Sequence, residues 1–245
     1  MKSQHLKDMD GWKEVLLIDP ITSPLAILIS KKVKILWLPI LVSLLAFLFK
    51  FLSAFAILHK IFVLAVILYL FSDILDGLDG KIARLQNNEN ISKLHGRIDI
   101  IGDSIGNAII LFSLFYIFRE CSLYIFTYVL LLYIYEVSYA IRIESRWREG
   151  DKPSYSMKDT IETYKERMLT HGGALAKLTL LYSKLLSITS KFRTYPNPTL
   201  VDSEFVLFVI FPLIPSKSTL IIAILFLLPD VIISLILTFV GTRRW

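Results

Sequence analysis

Residue types that form cross-links or soft metal sites are scarce in this sequence. It contains one cysteine, Cys121, and four scattered histidines, His5, His59, His95 and His171. One cysteine cannot form an internal disulfide, and the sequence has no cysteine–histidine cluster of the kind that binds zinc. These absences exclude a disulfide-stapled secreted domain and a zinc-binding module. We expect none of the four histidines to be a metal ligand.

The sequence also lacks a recognisable signal peptide and an internal repeat. Residues 1–33 mix polar, charged and apolar side chains, unlike the basic and then apolar pattern of a secretory leader. Apolar residues, in contrast, are abundant: 55% of the residues are hydrophobic and the mean hydropathy is +0.61. A soluble domain of 245 residues rarely needs that much apolar surface. The composition therefore indicates an integral membrane protein.

Long apolar runs define the predicted membrane domain. A helix needs about 20 residues to cross the hydrocarbon core, and on that basis we predict an all-α fold with six transmembrane helices. Residues 1–34 are predicted to be a cytoplasmic segment with an amphipathic juxtamembrane helix, PLAILISKKVKI. Residues 35–245 are predicted to form one membrane domain. The approximate limits of the six spans are 35–58, 61–82, 97–118, 122–141, 205–214 (extended somewhat at both ends) and 220–240.

The connections between these spans set the predicted orientation. We interpret residues 85–94 as a short loop, 142–167 as extramembrane and 173–190 as an interfacial helix. Most lysines and arginines lie in the N-terminal segment, in the connections after the second and fourth spans, and at the C-terminus. The positive-inside rule then places both termini on the cytoplasmic side of the cell membrane. The net charge of +6 fits such loops and anionic headgroups, so we expect no nucleic-acid partner.

The most informative stretch, residues 73–103, joins the second and third predicted spans. It contains Asp76 and Asp79, which are three positions apart, and Asp99 and Asp103, which are four apart. On a helix, each pair points to one side. Two helices that each bring two carboxylates to the membrane edge would form one acidic site there. In the predicted orientation this site faces the cytoplasm.

Small and basic residues accompany the first acidic pair. Gly80 and Ala83 lie beside Asp79 on the predicted helix. Glycine costs about 1 kcal/mol relative to alanine inside a helix, and close approach of a ligand is one reason to find it there. Arg84, one turn beyond Gly80, is placed to reach a phosphate or to pair with an aspartate. Lys50, inside the first span, is interpreted as snorkelling toward the far interface.

Several kinds of function remain open from these residues alone. Solvated carboxylates are common at membrane interfaces, but four at helical spacing repel one another unless cations lie between them. Hard divalent cations such as Mg²⁺ remove that repulsion, and a two-metal site suits diphosphate chemistry. Membrane prenyltransferases share this chemistry, although they usually have more spans and two distant Asp motifs. An ion-coupled transporter can also use intramembrane carboxylates, but it should show inverted repeats or broken helices.

Taken together, the block resembles the signature of the CDP-alcohol phosphotransferase family, D-x-x-D-G-x-x-A-R followed by a spacer, a glycine and D-x-x-x-D. Arg84 and Asp99 are two residues further apart than in the family pattern, and His95 occupies the usual glycine position, next to Gly96. The residues that match the signature are Asp76, Asp79, Gly80, Ala83, Arg84, Asp99 and Asp103.

The resemblance implies a transferase that moves a substituted phosphate from a CDP-linked lipid donor to an alcohol hydroxyl and releases CMP. Gly80, Ala83 and Arg84 would contact the CDP moiety, and Asp103 would be the general base on the acceptor hydroxyl. The family pattern also implies a homodimer. The acceptor would be a small polar alcohol or alcohol phosphate, and the donor lipid a diacylglycerol or an archaeal ether lipid. Two Mg²⁺ or Mn²⁺ ions would be held by Asp76, Asp79, Asp99 and Asp103.

Overall fold

The structure, a computed structural model, describes residues 10–33, 35–86, 88–148 and 174–241. Within these ranges it is all-helical, with 89% of residues in helices and no strand, which confirms the predicted fold class. In chain order the helices are α1 Asp19–Lys32, α2 Leu38–Leu58, α3 Phe62–Gln86, α4 Glu89–Ile117, α5 Ser122–Arg148, α6 Ala174–Thr189, α7 Leu200–Phe205, α8 Phe211–Leu213 and α9 Lys217–Gly241. Short π-helical turns, Glu14–Ile18 and Val206–Ile210, precede α1 and α8.

Four of the described helical segments are long and apolar enough to cross a membrane: Leu38–Leu58, Asn90–Ile117, Arg119–Ile141 and Lys217–Ile236. The predicted count of six is not confirmed. Helix α3 is long enough, at 25 residues, but its second half is charged. The helical run from α7 to α8 is shorter than the about 20 residues that a crossing needs. The structure therefore supports an integral membrane protein with four candidate spans.

The predicted loop at 85–94 is wrong, because most of it is helical. Helix α3 continues to Gln86, and α4 begins at Glu89, well before the predicted start at residue 97. Asn88 caps α4, and its side chain accepts a hydrogen bond of 3.1 Å from the backbone N–H of Ile91. Such a cap satisfies one of the free amides of the first turn. The polar residues at the start of α4 therefore form the part of this helix that precedes its apolar run.

The helices pack around α2, which contacts both α3 and α4, while α5 packs against α9 and α1 against α3. A large apolar cluster joins α2 to α5 and α9, and Tyr69 of α3 is buried in it. A smaller cluster joins α1 to α3 through Ala26, Leu78 and Ile82. The acidic residues of α3 lie along the helix between Tyr69 and Ile82. Packing at both ends therefore holds this part of α3 in place.

The close approach of the N-terminal segment to α3 depends on a glycine. A Cβ atom added at Gly77 would lie 2.7 Å from Cγ2 of Ile18 and 3.1 Å from Oε1 of Glu14. No real side chain fits in that space, which agrees with a packing role for this glycine. One turn further, the ammonium of Lys81, itself buried, lies 2.7 Å from Oδ1 of Asp19 and 3.2 Å from Glu14. The N-terminal segment is thus fixed to α3 by both shape and charge.

A carboxylate near the other end of the chain also holds the N-terminal segment. Asp202 accepts hydrogen bonds from the backbone amides of Trp12, at 3.2 Å, and Lys13, at 2.6 Å. The same side chain caps α7 by accepting from the backbone N–H of Thr199 at 2.8 Å. The ammonium of Lys13 in turn contacts Asp73 of α3 at 2.9 Å. This polar network connects the start of the chain, α3 and α7.

Candidate active site

Two helices bring four carboxylates to one place. Asp76 and Asp79 project from α3, and Asp99 and Asp103 from α4. Asp76, Asp99 and Asp103 each offer an oxygen, and these oxygens all lie within 4.8 Å of one another. The helical spacing of each pair explains this, because residues three or four apart lie on one face. The acidic faces of α3 and α4 therefore meet, as the sequence predicts.

Asp79 belongs to a second group that overlaps the first. One of its oxygens, a ring nitrogen of His95 and an oxygen of Asp99 also lie within 4.8 Å of one another. Asp99 is therefore common to both groups. This arrangement gives two neighbouring positions where a cation would meet three ligands.

The two oxygens of Asp79 have different surroundings. The side chain is 1% exposed, and its Oδ2 accepts a hydrogen bond of 2.6 Å from the hydroxyl of Ser43 on α2. Its Oδ1 has no hydrogen-bond partner in the described part of the chain. Nε2 of His95 lies 3.2 Å from Oδ1, but this contact does not have the geometry of a hydrogen bond. A buried oxygen without a partner is costly, and a bound cation would satisfy it.

Helix α2 also brings a cation to the site. Lys50 is 5% exposed, and its ammonium donates a hydrogen bond of 2.6 Å to Oδ1 of Asp103. Its methylene chain lies on Gly106, where an added Cβ would come within 2.7 Å of Cδ of Lys50. The interpretation that Lys50 snorkels away toward the far interface is therefore wrong. Ser43 and Lys50 lie about 10 Å apart along α2, so the site extends over about two helical turns of depth.

The three residues expected to contact CDP continue along α3 from the acidic pair. A Cβ added at Gly80 would meet only the guanidinium of Arg84 within 4 Å, at 3.5 and 3.9 Å, so this face has room for a ligand. Ala83 is buried and Arg84 is exposed. A Cβ added at Gly96 would meet nothing within 4 Å, so no close contact explains that glycine.

The donor set fits divalent metal ions. Hard cations such as Mg²⁺ and Mn²⁺ prefer carboxylate oxygens, and four carboxylates supply them here. The Oδ1 of Asp79 is a further sign of fit, because it is buried, faces this cluster and has no hydrogen-bond partner among the described residues. Lys50 offsets only part of the negative charge. The residues present therefore suit a divalent metal centre.

The scatter of the histidines along the sequence disfavours His95 as a ligand, and nothing in the sequence points to Ser43. Ser43 and Lys50 both belong to α2. Ser43 is 36 residues from its partner Asp79 in the sequence, and Lys50 is 53 residues from its partner Asp103. No local spacing links residues that far apart. His95 does carry a local signal, because His95, Asp99 and Asp103 are each four positions apart and so share one face of α4.

Fold and site together define a helical membrane protein with an acidic, metal-compatible centre on two adjacent helices. The chain matches the family model described as CDP-alcohol phosphatidyltransferase over residues 36–187, more than half of its length, and it belongs to that family. This confirms the resemblance drawn from the acidic motif. A search of curated proteins gave no match.

Membership of the family carries several consequences. The family is one of transferases, and it implies phosphatidyl transfer from a CDP-alcohol to an alcohol acceptor in a membrane. Its members use divalent metals, in keeping with the clustered acids. The matched region begins just before α2 and ends within α6, so it contains all four aspartates together with Ser43, Lys50 and His95.

Proposed function

We propose that this protein is a phospholipid-synthesis enzyme that transfers a phosphatidyl-type group from a CDP-linked lipid to the hydroxyl of a small polar alcohol or alcohol phosphate, with release of CMP. The observation that carries the proposal is the pair of overlapping ligand groups that share Asp99. Two neighbouring cation positions suit a ligand with two adjacent phosphates. A diphosphate linkage is what a CDP-linked donor presents.

In this proposal Asp76, Asp79, Asp99 and Asp103 hold two Mg²⁺ or Mn²⁺ ions. Such ions neutralise phosphate oxygens and stabilise the leaving group of a displacement. The hydroxyl of Ser43 fixes the Asp79 carboxylate through its bond to Oδ2, which keeps Oδ1 directed at the cluster. The buried position of Asp79 suits a ligand rather than a group that meets an incoming alcohol.

The nucleotide part of the donor is assigned to the adjacent turn of α3. The open face at Gly80 allows a ligand to approach the helix closely, and the buried methyl of Ala83 adds little bulk beside it. Arg84 is exposed and one turn beyond Gly80, so its guanidinium can reach a phosphate oxygen. These three residues would orient the donor so that its lipid phosphate lies at the acids.

Asp103 is the proposed general base. Its side chain is 41% exposed, whereas that of Asp79 is 1% exposed, so Asp103 is the better placed to meet an acceptor alcohol. It takes the hydroxyl proton as the acceptor oxygen forms a bond to the lipid phosphorus. The bond from that phosphorus to the oxygen of the CMP phosphate breaks, and CMP leaves with the electron pair. Lys50, bonded to Oδ1, orients this carboxylate.

The remaining features of the layout belong to the same proposal. We place the site and both termini on the cytoplasmic side, because the basic residues lie mainly at that end of the predicted spans. Helix α1 would lie at the membrane surface, since its outward residues include Ile21, Leu25 and Leu28, all exposed. We further propose the six-span arrangement, with α3 and the run from α7 to α8 as the two additional spans, and a homodimer.

The deciding experiment measures CMP release by the purified protein from CDP-diacylglycerol and from a CDP-linked ether lipid, each with a panel of alcohol and alcohol phosphate acceptors. We expect release that needs both donor and acceptor and that stops after removal of divalent metal by EDTA. Release that persists without metal, or no release with any donor while a prenyl diphosphate is consumed, would refute the proposal.

Two substitutions then separate the roles of the acids. Asp79→Asn should lose donor binding and turnover together, because it removes a metal ligand. Asp103→Asn should keep most donor binding and lose roughly a hundredfold or more in turnover, the usual range for a general base. Glu120→Gln is the matched control, since Glu120 is an exposed acid in the turn between α4 and α5, away from the site. If Asp103→Asn abolishes donor binding as fully as Asp79→Asn, Asp103 is chiefly a ligand.

A further inference from the structure

His95 occupies a position on α4 that continues the line of acids. His95, Asp99 and Asp103 follow one another at intervals of four, so the imidazole lies one turn before the first aspartate of the helix. The side chain of His95 is 7% exposed, and its Nε2 has no hydrogen-bond partner among the described residues. Nε2 lies 3.2 Å from Oδ1 of Asp79, and a buried ring nitrogen that contacts a carboxylate without a hydrogen bond needs an explanation.

The carboxylate oxygen that faces His95 also lacks a hydrogen bond within the described residues. Oδ1 of Asp79 is also buried without a hydrogen-bond partner in the described ranges, and it lies 3.2 Å from Nε2 of His95. An ion bound at about 2.1 Å to each of two neighbouring ligands would hold those ligands about 3 Å apart. The observed separation is close to that value. An oxygen of Asp99 lies within 4.8 Å of both atoms and completes a three-ligand group.

The other described histidine shows what a non-ligating position is like. His59 ends α2 at the far end from the site and is exposed, and its ring packs against Phe55 at a tilt of 57°, with 4.4 Å between ring centroids. His95 differs from it in burial, in its contact with Asp79, and in that its Nε2 has no hydrogen-bond partner among the described residues. His95 is thus part of a buried polar centre, whereas His59 only covers the end of α2.

We propose that Nε2 of His95 is a direct metal ligand, so that the ion held by Asp79 and Asp99 has a mixed nitrogen and oxygen donor set. This inference rests on the metal centre of the proposed function and adds a ligand that the aspartate motif does not contain. Imidazole suits transition metals better than it suits Mg²⁺. The consequence is a centre that prefers Mn²⁺ to Mg²⁺, and His95 is the residue that sets this preference.

The test uses the purified full-length protein loaded with Mn²⁺ and examined by pulsed electron paramagnetic resonance. A directly bound imidazole gives a ¹⁴N modulation that changes when the histidines are labelled with ¹⁵N. We expect this signal in the unmodified protein and in His59→Gln, the matched control, and its loss in His95→Ala and His95→Gly. Absence of this coupling in the unmodified protein would refute the bond whether or not the variants fold.

Calorimetric titrations provide the second readout. In His95→Ala we expect Mn²⁺ affinity to fall roughly tenfold or more, because loss of even a residue that only orients a metal ligand costs about 10–100-fold. We expect Mg²⁺ affinity to fall much less. Mn²⁺ bound to the unmodified protein without nitrogen coupling would overturn the proposal for His95 and leave the proposed function standing. Failure of the unmodified protein to bind any divalent ion would overturn both.

Discussion

Replacing Lys50 by methionine removes the ammonium that contacts Asp103 and keeps most of the methylene stem. Lys50 lies 2.6 Å from Oδ1 of Asp103, and its stem packs against Gly106. Methionine is flexible and of similar length, so it can fill the same space. The substitution therefore tests the charge and the hydrogen bond rather than the packing of α2 on α4.

The expected loss of turnover in Lys50→Met depends on the strength of the hydrogen bond between Lys50 and Asp103. A hydrogen bond to a charged group contributes about 1.5–3 kcal/mol net. Because the side chain of Asp103 is 41% exposed, water can replace part of that bond, and the lower end of the range applies. If the bond orients the base in the transition state, a loss of about 1.5 kcal/mol lowers turnover roughly tenfold.

The same substitution should have the opposite effect on metal binding. The ammonium of Lys50 repels cations next to the acids, so its removal should lower the Mg²⁺ concentration needed for half-maximal activity. The assay is single-turnover CMP release at a series of Mg²⁺ concentrations. Lys217→Met is the matched control, since Lys217 is exposed at the start of α9. Unchanged turnover together with an unchanged Mg²⁺ requirement in Lys50→Met would refute the reasoning.

Two further predictions concern topology and pH. Cysteines introduced at Asn88 and Ser216 should be labelled by an impermeant reagent from opposite faces of the membrane, and labelling from one face would contradict the span assignment. Burial by itself would raise the pKa of Asp19, but hydrogen bonds from Lys81 and Arg193 outweigh it and lower that pKa. The ionised form thus stabilises the fold above the ordinary pKa of about 4, and this stabilisation disappears as the pH falls through the lower folded value. In thermal unfolding, Asp19→Asn should be less stable than the unmodified protein at pH 7, and the difference should narrow below about pH 4; a difference that stays constant with pH would contradict this assignment.

The apolar parts of the long helices can be predicted from the local sequence, but the polar turns that extend them cannot. The predicted first span, 35–58, differs from α2 by three residues at its start, because the change from charged to apolar residues is abrupt there. The predicted third span begins eight residues after Glu89. Polar residues there are compatible with either a loop or a helix in water, and only the cap at Asn88 favours the helix.

The acids are predictable from sequence because helical spacing is a local property. Asp99 and Asp103 need only their own helix to face one way. Ser43 and Lys50 join the site through the packing of α2 against α3 and α4, which no periodicity within α2 encodes. The snorkelling interpretation of Lys50 treats the helix as if it were alone in lipid. In the folded protein its ammonium instead donates a hydrogen bond to Asp103 of α4.

The bonds of Asp202 also set an order of events during synthesis. The backbone amides of Trp12 and Lys13 find their acceptor 190 and 189 residues further along the chain. At a translation rate of about 5–20 residues per second, that acceptor is made roughly 10 to 40 s later. Until then α1 can pack against α3, but the segment before α1 lacks the acceptor for its backbone amides. The end of the chain that is made first is therefore among the last parts to reach its final position.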